Sequence, residues 1–377
     1  TYLETLSVDK GVNLSGGYES SGWTQDVAQY PTVIDGSGNR TVPGDWDGNS
    51  ILAPSVISDA GQFKMWYTGF DLFGSGRLGQ ATSANGIDWA KSGSNPLLGG
   101  LFEVAVLKEG PGDYKMWYTS DDGSIYRATS VDGLNWITAT TPVFSPSFQT
   151  GTFDRDLVSD PSIVQDGSGV YWMFYEAGNW NGNWNQIQIG AATSPDGLTW
   201  TRVQTTPVIT AGGPGAWDEQ WALDPMARWT GNGFELWYSG VDISGTRRIG
   251  YATSTDGVNW SKSTANPVLQ GDAGQWDDGR AGNFFVLLDG GVYKMWYHSN
   301  GQLGYATSTD GVNWSKFTAN PAVGPAGGHL RRGERRGGAG RLHRHRRGRL
   351  ARRRRVRHRA ERARHHPRQP RHRQRRV

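Results

Sequence analysis

A five-fold internal repeat constrains this chain more than any other feature. One half of it reads aromatic-x-Met-Trp-Tyr or a close variant: FKMWYTG around Trp66, YKMWYTS around Trp117, YWMFYEA around Phe174, FELWYSG around Trp237 and YKMWYHS around Trp296. The other half reads ATSxDGxxW or a variant of it, ending at Trp89, Trp136, Trp200, Trp260 and Trp314, with an Asn-Pro or Thr-Pro soon after at Pro96, Pro142, Pro207, Pro267 and Pro321. The period of 47 to 64 residues suits a four-stranded propeller blade rather than a solenoid rung.

Each repeat carries the physics of one blade. In APSVIS, residues 53–58, small and β-branched residues suit a buried inner strand. FKMWYTG predicts a second strand alternating around a buried Trp, and LGQATS or IGYATS a third. SxDGxxW makes the turn, its Asp accepting local backbone N–H bonds and its Gly supplying positive φ. The closing Trp starts the outer strand and is expected to pack between neighbouring blades. The predicted fold is therefore all-β, a five-bladed β-propeller of four-stranded antiparallel blades; the alternative is six blades, the last interrupted by the C-terminal tail. Expected boundaries are a lead-in over 1–16, the propeller over 17–325 and a tail over 326–377. GYESSGW, residues 17–23, reads as a degenerate third-strand-to-turn segment followed by YPTV, so the chain opens in mid-blade. It begins without Met or a signal peptide, which reads as a fragment or a processed form.

Charge divides the chain. The formal net charge is +4, but residues 329–377 hold 22 of the 39 Lys+Arg, two acids and seven of the eight His. The other 328 residues carry 17 basic side chains against 33 acids, a net charge of −16, which argues against nucleic acid as a partner. The tail reads as a basic arm, as a solvated extension or, preferred here, as coding sequence in the wrong frame. Codons for His329-Leu330-Arg331-Arg332-Gly333-Glu334-Arg335, read one base later, can encode Thr-Phe-Asp-Glu-Gly-Ser-Val, and Phe-Asp or Trp-Asp opens most repeats. The absence of Cys excludes disulfides and thiolate chemistry, and a body whose one histidine is His298 excludes a multi-His metal centre. No apolar run approaches the ~20 residues that span a bilayer.

These repeats resemble the arabinanase/levansucrase/invertase superfamily of five-bladed propeller glycoside hydrolases, and glycoside hydrolase family 43 in particular, over residues 17–325. The resemblance implies an active site at the axial mouth of a funnel, with acids at the starts of inner strands. SDPSIV around Asp160 is similar to the family's Asp-Pro motif, whose Asp tunes the catalytic acid. Asp224 in LDPMA stands where the family has its general acid, and Ala53 in LAPSVI where it has the general-base Asp, with Glu103 or Asp45 as substitutes. The SxDGxxW turn also resembles the Asp-box of sialidases, but no Phe-Arg-Ile-Pro segment is present.

Aligned repeats show which positions differ. Immediately before the Pro of APSVI the equivalents are Ala53, Glu103, Asp160, Asp224 and Asn283. Acids in three consecutive repeats point to a pocket, because converging carboxylates repel one another and spread their pKa values, as acid/base cleavage of a glycosidic bond requires. By contrast Asp47, Asp154, Asp218 and Asp277 recur and are expected to be structural, as are the turn residues Asp132, Asp196, Asp256 and Asp310. Arg155, Asp156, Glu176, Trp180, Trp184, Trp221 and Arg280 differ between repeats near the same mouth and are candidate sugar contacts, the aromatic faces of AGNWNGNWNQ suiting sugar stacking. His298 reads as an ordinary second-strand residue.

The expected function is a monomeric, secreted glycoside hydrolase acting on arabinose-, xylose- or fructose-type glycans, with Asp224 as acid and Asp160 as modulator and with no membrane partner. No cofactor is required; an axial calcium ion is compatible with the resemblance but not indicated by the residues. The alternatives are a non-catalytic carbohydrate-binding propeller, motivated by Ala53, and a glycoside phosphorylase, which needs Arg155, Arg228 and Arg280 to converge on one anion.

Overall fold

The computed structural model describes residues 3–8, 12–17, 46–179 and 187–325. The repeat copy beginning at Gly17, Asp45, the pair Trp180 and Trp184, and the tail over 326–377 lie beyond the described residues or run out of them. No helix occurs among the described residues, and none is long and apolar enough to cross a membrane. An antiparallel hairpin, Leu3–Val8 with Val12–Gly17, comes first.

Five antiparallel units follow among the described residues, in sheets of five, four, nine and four strands, the nine-stranded one joining the third and fourth units. In the first, Ser50–Asp59 pairs with Gln62–Phe70, that with Gly76–Ser83, and that with Ala90–Lys91. The inner strands of the other four are Leu101–Gly110, Leu157–Gln165, Trp221–Trp229 and Gly282–Asp289. Their second strands are Asp113–Ser120, Tyr171–Gly178, Phe234–Val241 and Val292–Ser299. Six hydrophobic clusters hold the all-β propeller together, each shared by consecutive units, including one that joins Ile51, Val56 and Met65 of the first to Trp296, Leu303 and Tyr305 of the fifth.

Burial of the second strand departs from simple alternation. Met65, Trp66 and Tyr67 are all fully buried, and so are Met295, Trp296 and Tyr297. A sheet covered by a neighbour on each face has no solvent side, so its strands are apolar throughout rather than at every second residue.

One clasp recurs at these interfaces. Trp66, Trp117, Trp237 and Trp296 each donate Nε1–H to the carbonyl of a turn glycine in the next unit, at 2.8 Å to Gly133, 2.8 Å to Gly197, 2.8 Å to Gly311 and 2.7 Å to Gly86. The turn Trp then packs edge-on, Trp136 on Trp66 and Trp89 on Trp296, which places it between units as the sequence suggests. Glycine is required in the turn: Gly133 has φ +77°, and a Cβ there would lie 2.7 Å from Trp66 Cζ2. Asp132 Oδ1 fixes this turn by accepting the N–H groups of Leu134 and Asn135, both at 2.8 Å, and these bonds hold the carboxyl far below its usual range. The third unit has Phe174 in place of the clasping Trp. Its seam to the fourth unit has Ile187 paired with Trp221, and other seams likewise carry backbone bonds, such as Val158 N–H to Gly123 O and Ile51 N–H to Gly301 O.

The recurring aromatic-Asp residues are buried struts. Asp47 accepts bonds from Tyr67 Oη at 3.1 Å and Lys91 Nζ at 2.7 Å; Tyr238 and Lys262 serve Asp218 in the same way, Tyr297 and Lys316 serve Asp277, and Tyr175 and Arg202 serve Asp154.

Candidate functional site

Each inner strand breaks its ladder at one place. The register slips between Leu52 and Ser55, Phe102 and Val104, Ser159 and Ser162, Leu223 and Met226, and Gly282 and Phe285. The residue that starts each bulge is left-handed: Ala53 at φ 49°, Glu103 at 48°, Asp160 at 49°, Asp224 at 50° and Asn283 at 40°. These are the five positions at which the repeats differ. Proline follows in three units, at Pro54, Pro161 and Pro225, where the bulge leaves no ladder partner for an N–H. The second unit skips one residue instead of two, so Glu103 holds the same left-handed place without a following Pro.

The bulge turns side chains and N–H groups toward the neighbouring unit. Glu103 N–H donates to Thr68 Oγ1 at 3.2 Å. Asp160 N–H donates to Thr119 Oγ1 at 3.0 Å and to Glu103 Oε2 at 3.2 Å, and Thr119 Oγ1 donates to the same Oε2 at 3.2 Å. Asn283 N–H reaches Asp224 Oδ2 at 3.0 Å, and its Nδ2 reaches Asp224 Oδ1 at 3.0 Å. Arg247 Nη1 bridges Asp224 Oδ2 at 3.0 Å and Asn283 Oδ1 at 2.7 Å. Glu176 stands opposite Ser159, in the strand place that Thr119 fills in the second unit, and its carboxylate joins those of Asp160 and Asp224 with oxygens within 4.8 Å of one another.

Burial and the crowding of like charges raise two of these carboxyls. Burial, with Asp224 nearby, pushes the Glu103 carboxyl up to about 7. Burial, followed by the charges of Glu103, Asp224 and Glu176, drives the Asp160 carboxyl well above the usual carboxylate range. Asp160 Oδ2 is buried with no hydrogen-bond donor among the described residues.

Below this ring runs a cavity of about 690 Å³ lined by the inner strands of all five units, with Ala53, Asp160, Asp224 and Asn283 at one end and Glu109 and Arg228 toward the other. Between those ends its lining contains no carboxylate; among the described residues the carboxylates close enough together to share an ion are Asp160, Glu176 and Asp224.

Other expected contacts are distributed differently. Arg155 and Asp156 pair with each other at 3.5 Å on the loop before the third inner strand. Trp221 opens the fourth inner strand and packs on Ile187, Leu223 and Val241. Arg280 is exposed and bridges Arg247 through its backbone. His298 Nε2 accepts the Gly301 N–H at 3.0 Å, an ordinary turn contact. The three arginines of the phosphorylase reading do not converge. Arg228 is four residues along the strand from Asp224, roughly 13 Å at the rise of a β-strand, and it bonds Glu235 at 2.7 Å. The arginine at the mouth is Arg247, which sequence reasoning missed. Its signal was the doubled arginine of TRRIG, which puts Arg247 level with Gly76 of the first unit, while Arg248 matches Arg77 in pairing an aspartate of the preceding loop, Asp242 or Asp71.

No protein-family model matches the chain. It is 28% identical over 273 residues to the uncharacterized protein Rv1502 of Mycobacterium tuberculosis, covering 66% of this chain and 84% of that protein. Its fold is similar to that of a thermostable family-43 glycoside hydrolase (TM-score 0.56, 20% identity, 73% of this chain and 96% of the other). A glycosyl hydrolase from Bacteroides ovatus aligns at TM-score 0.57 and 18% identity over 72% and 87% of the two chains. So does a member of the GH130 family, described as mannoside phosphorylases that include glycoside hydrolases targeting β-1,2 mannosidic linkages in Candida mannan, at TM-score 0.57 and 18% identity over 72% and 88%. The chain has the propeller fold of these glycoside hydrolases.

Proposed function

We propose that this propeller cleaves glycosidic bonds by carboxylate acid/base chemistry at its axial mouth, on arabinose-, xylose- or fructose-type glycans. One observation carries the reading. The five repeats place the same left-handed bulge around one mouth, and the residues at that bulge are Ala, Glu, Asp, Asp and Asn rather than one repeated type. The fold kinship to glycoside hydrolases supports it. A secreted, monomeric state belongs to the same proposal.

The experiment is turnover of aryl arabinosides, xylosides and fructosides and of the matching polysaccharides, with and without inorganic phosphate. Asp160→Asn is expected to lower kcat, because it removes a carboxyl from the coupled ring and with it the charge that tunes Glu103. Full activity in that variant rejects the reading. Ala53 favours one other outcome: its methyl adds no polar group where four units have one, so binding of glycans without release of reducing sugar would identify a carbohydrate-binding propeller instead.

A further inference from the structure

Hydrogen-bond donors are unevenly shared among the three ring carboxyls. Asp224 is 4% exposed and accepts three donors, one of them the Arg247 guanidinium, spread over both oxygens. Such a donor set, with a guanidinium among its members, stabilises the carboxylate form. Asp160 has a buried oxygen without a donor and lies among Glu103, Asp224 and Glu176, the arrangement of a carboxyl that keeps its proton inside the site. Glu103 differs from both. Its Oε2 is anchored by Thr119 and by the Asp160 N–H. Among the described residues its Oε1 takes no hydrogen bond, and the residue as a whole is half-buried rather than fully enclosed.

We infer that Glu103, rather than Asp224, is the group that gives its proton to the leaving oxygen, with Asp224 held as a carboxylate by Arg247 and Asn283. This rests on the glycosidase reading above. The step balances as a hydrolysis. The bond between the anomeric carbon and the leaving oxygen breaks, and that oxygen keeps the electron pair and takes the proton from Glu103 Oε1. Water forms the new carbon–oxygen bond, and the proton it releases re-forms the Glu103 acid. No carboxylate at position 53 is needed for this balance, in keeping with Ala53. The charged and titratable groups facing Glu103 are Asp160 from the third unit and Asp224 and Arg247 from the fourth, with Glu176 beside Asp160. Burial and Asp224 raise the Glu103 carboxyl to about 7 and Arg247 lowers it, so the acid is present below neutrality and lost as pH rises through that value.

Two measurements on the full chain test the assignment. The first is carbon-13 NMR of the side-chain carboxyls over pH 5–9, with the Glu103 signal identified by its absence in Glu103→Gln. Titration of that signal near pH 7 is expected; a Glu103 carboxylate ionised throughout, or an Asp224 that titrates near neutrality, overturns the inference. This readout needs no substrate, so it stands even if nothing is hydrolysed and the glycosidase reading fails. The second is a leaving-group series on any glycoside that is turned over. Glu103→Gln is expected to lose at least 100-fold more activity on sugar or alkyl leaving groups than on 2,4-dinitrophenyl, which departs without a proton, and to lose the alkaline limb of the pH profile. An equal loss across the series with the limb intact assigns Glu103 a structural role and overturns the proposal.

Discussion

Replacing Arg247 with methionine is expected to destabilise the propeller by roughly 3 kcal/mol and to abolish turnover, with much of the stability returning when Asp224→Asn is added. Asp224 is almost fully buried, and Arg247 is the cation that bonds it directly. Removing one partner of a buried pair leaves an uncompensated charge in a region of low dielectric, which costs about 3–5 kcal/mol. The lower end applies because the Arg247 side chain is 26% exposed, so part of its charge is already screened by water. Methionine keeps most of the aliphatic volume, so the loss reports charge and hydrogen bonding rather than packing. Asn283 is affected as well, since its Oδ1 loses the donor that orients its amide toward Asp224. The asparagine variant at 224 removes the stranded charge while retaining an oxygen for the Asn283 N–H. The double variant should therefore be more stable than Arg247→Met alone. Urea unfolding with a common m-value measures all three; a loss below about 1 kcal/mol, or strict additivity in the double variant, would show that Asp224 does not depend on the guanidinium.

Sequence contrasts worked at the bulge because the backbone there is repeated and the side chain is not. With five equivalent left-handed positions, any change of residue type among Ala53, Glu103, Asp160, Asp224 and Asn283 reports what the axis needs at that corner. For the same reason the recurring Asp47 and Asp132 types read as structural, and the structure gives each a bond set that holds a strand or a turn. Legibility ended where a contact joins one unit to another. Arg247 lies on the third strand of the fourth unit and bonds Asp224 of its own unit and Asn283 of the fifth, and the second of these contacts is set by ring geometry and absent from any single repeat. Arg228 failed in the opposite sense: its residue type suited an anion site, but four residues of extended chain carry it toward the other end of the cavity. The consecutive buried residues Met65, Trp66 and Tyr67 show a related limit, since alternation assumes one wet face and these sheets have none.

Trp237→Ala should be the most damaging single truncation in the fourth unit, at about 5 kcal/mol. Removing a fully buried Trp side chain costs about 3–5 kcal/mol in lost transfer energy and residual cavity. To this is added a share of the roughly 1–3 kcal/mol for a buried carbonyl left without a donor, because Trp237 Nε1–H is bonded to Gly311 O at 2.8 Å. That total is comparable with the whole stability of an ordinary domain. The damage falls on an interface, since Trp237 shares its cluster with Phe284, Val286, Met295 and Tyr297 of the next unit. Trp237→Phe separates the two contributions. It keeps a ring in the cluster and drops only the clasp, the state in which Phe174 already sits at the third unit, and it should cost about 1–2 kcal/mol. Backbone pairing between units does not distinguish the two seams, since Ile187 pairs with Trp221 at one and Arg247 with Arg280 at the other. Thermal and denaturant unfolding of the two variants should therefore differ by several kcal/mol. If alanine and phenylalanine at 237 unfold alike, the void is being refilled by the neighbouring aromatics Tyr251 and Tyr293, and the clasp is the larger contribution.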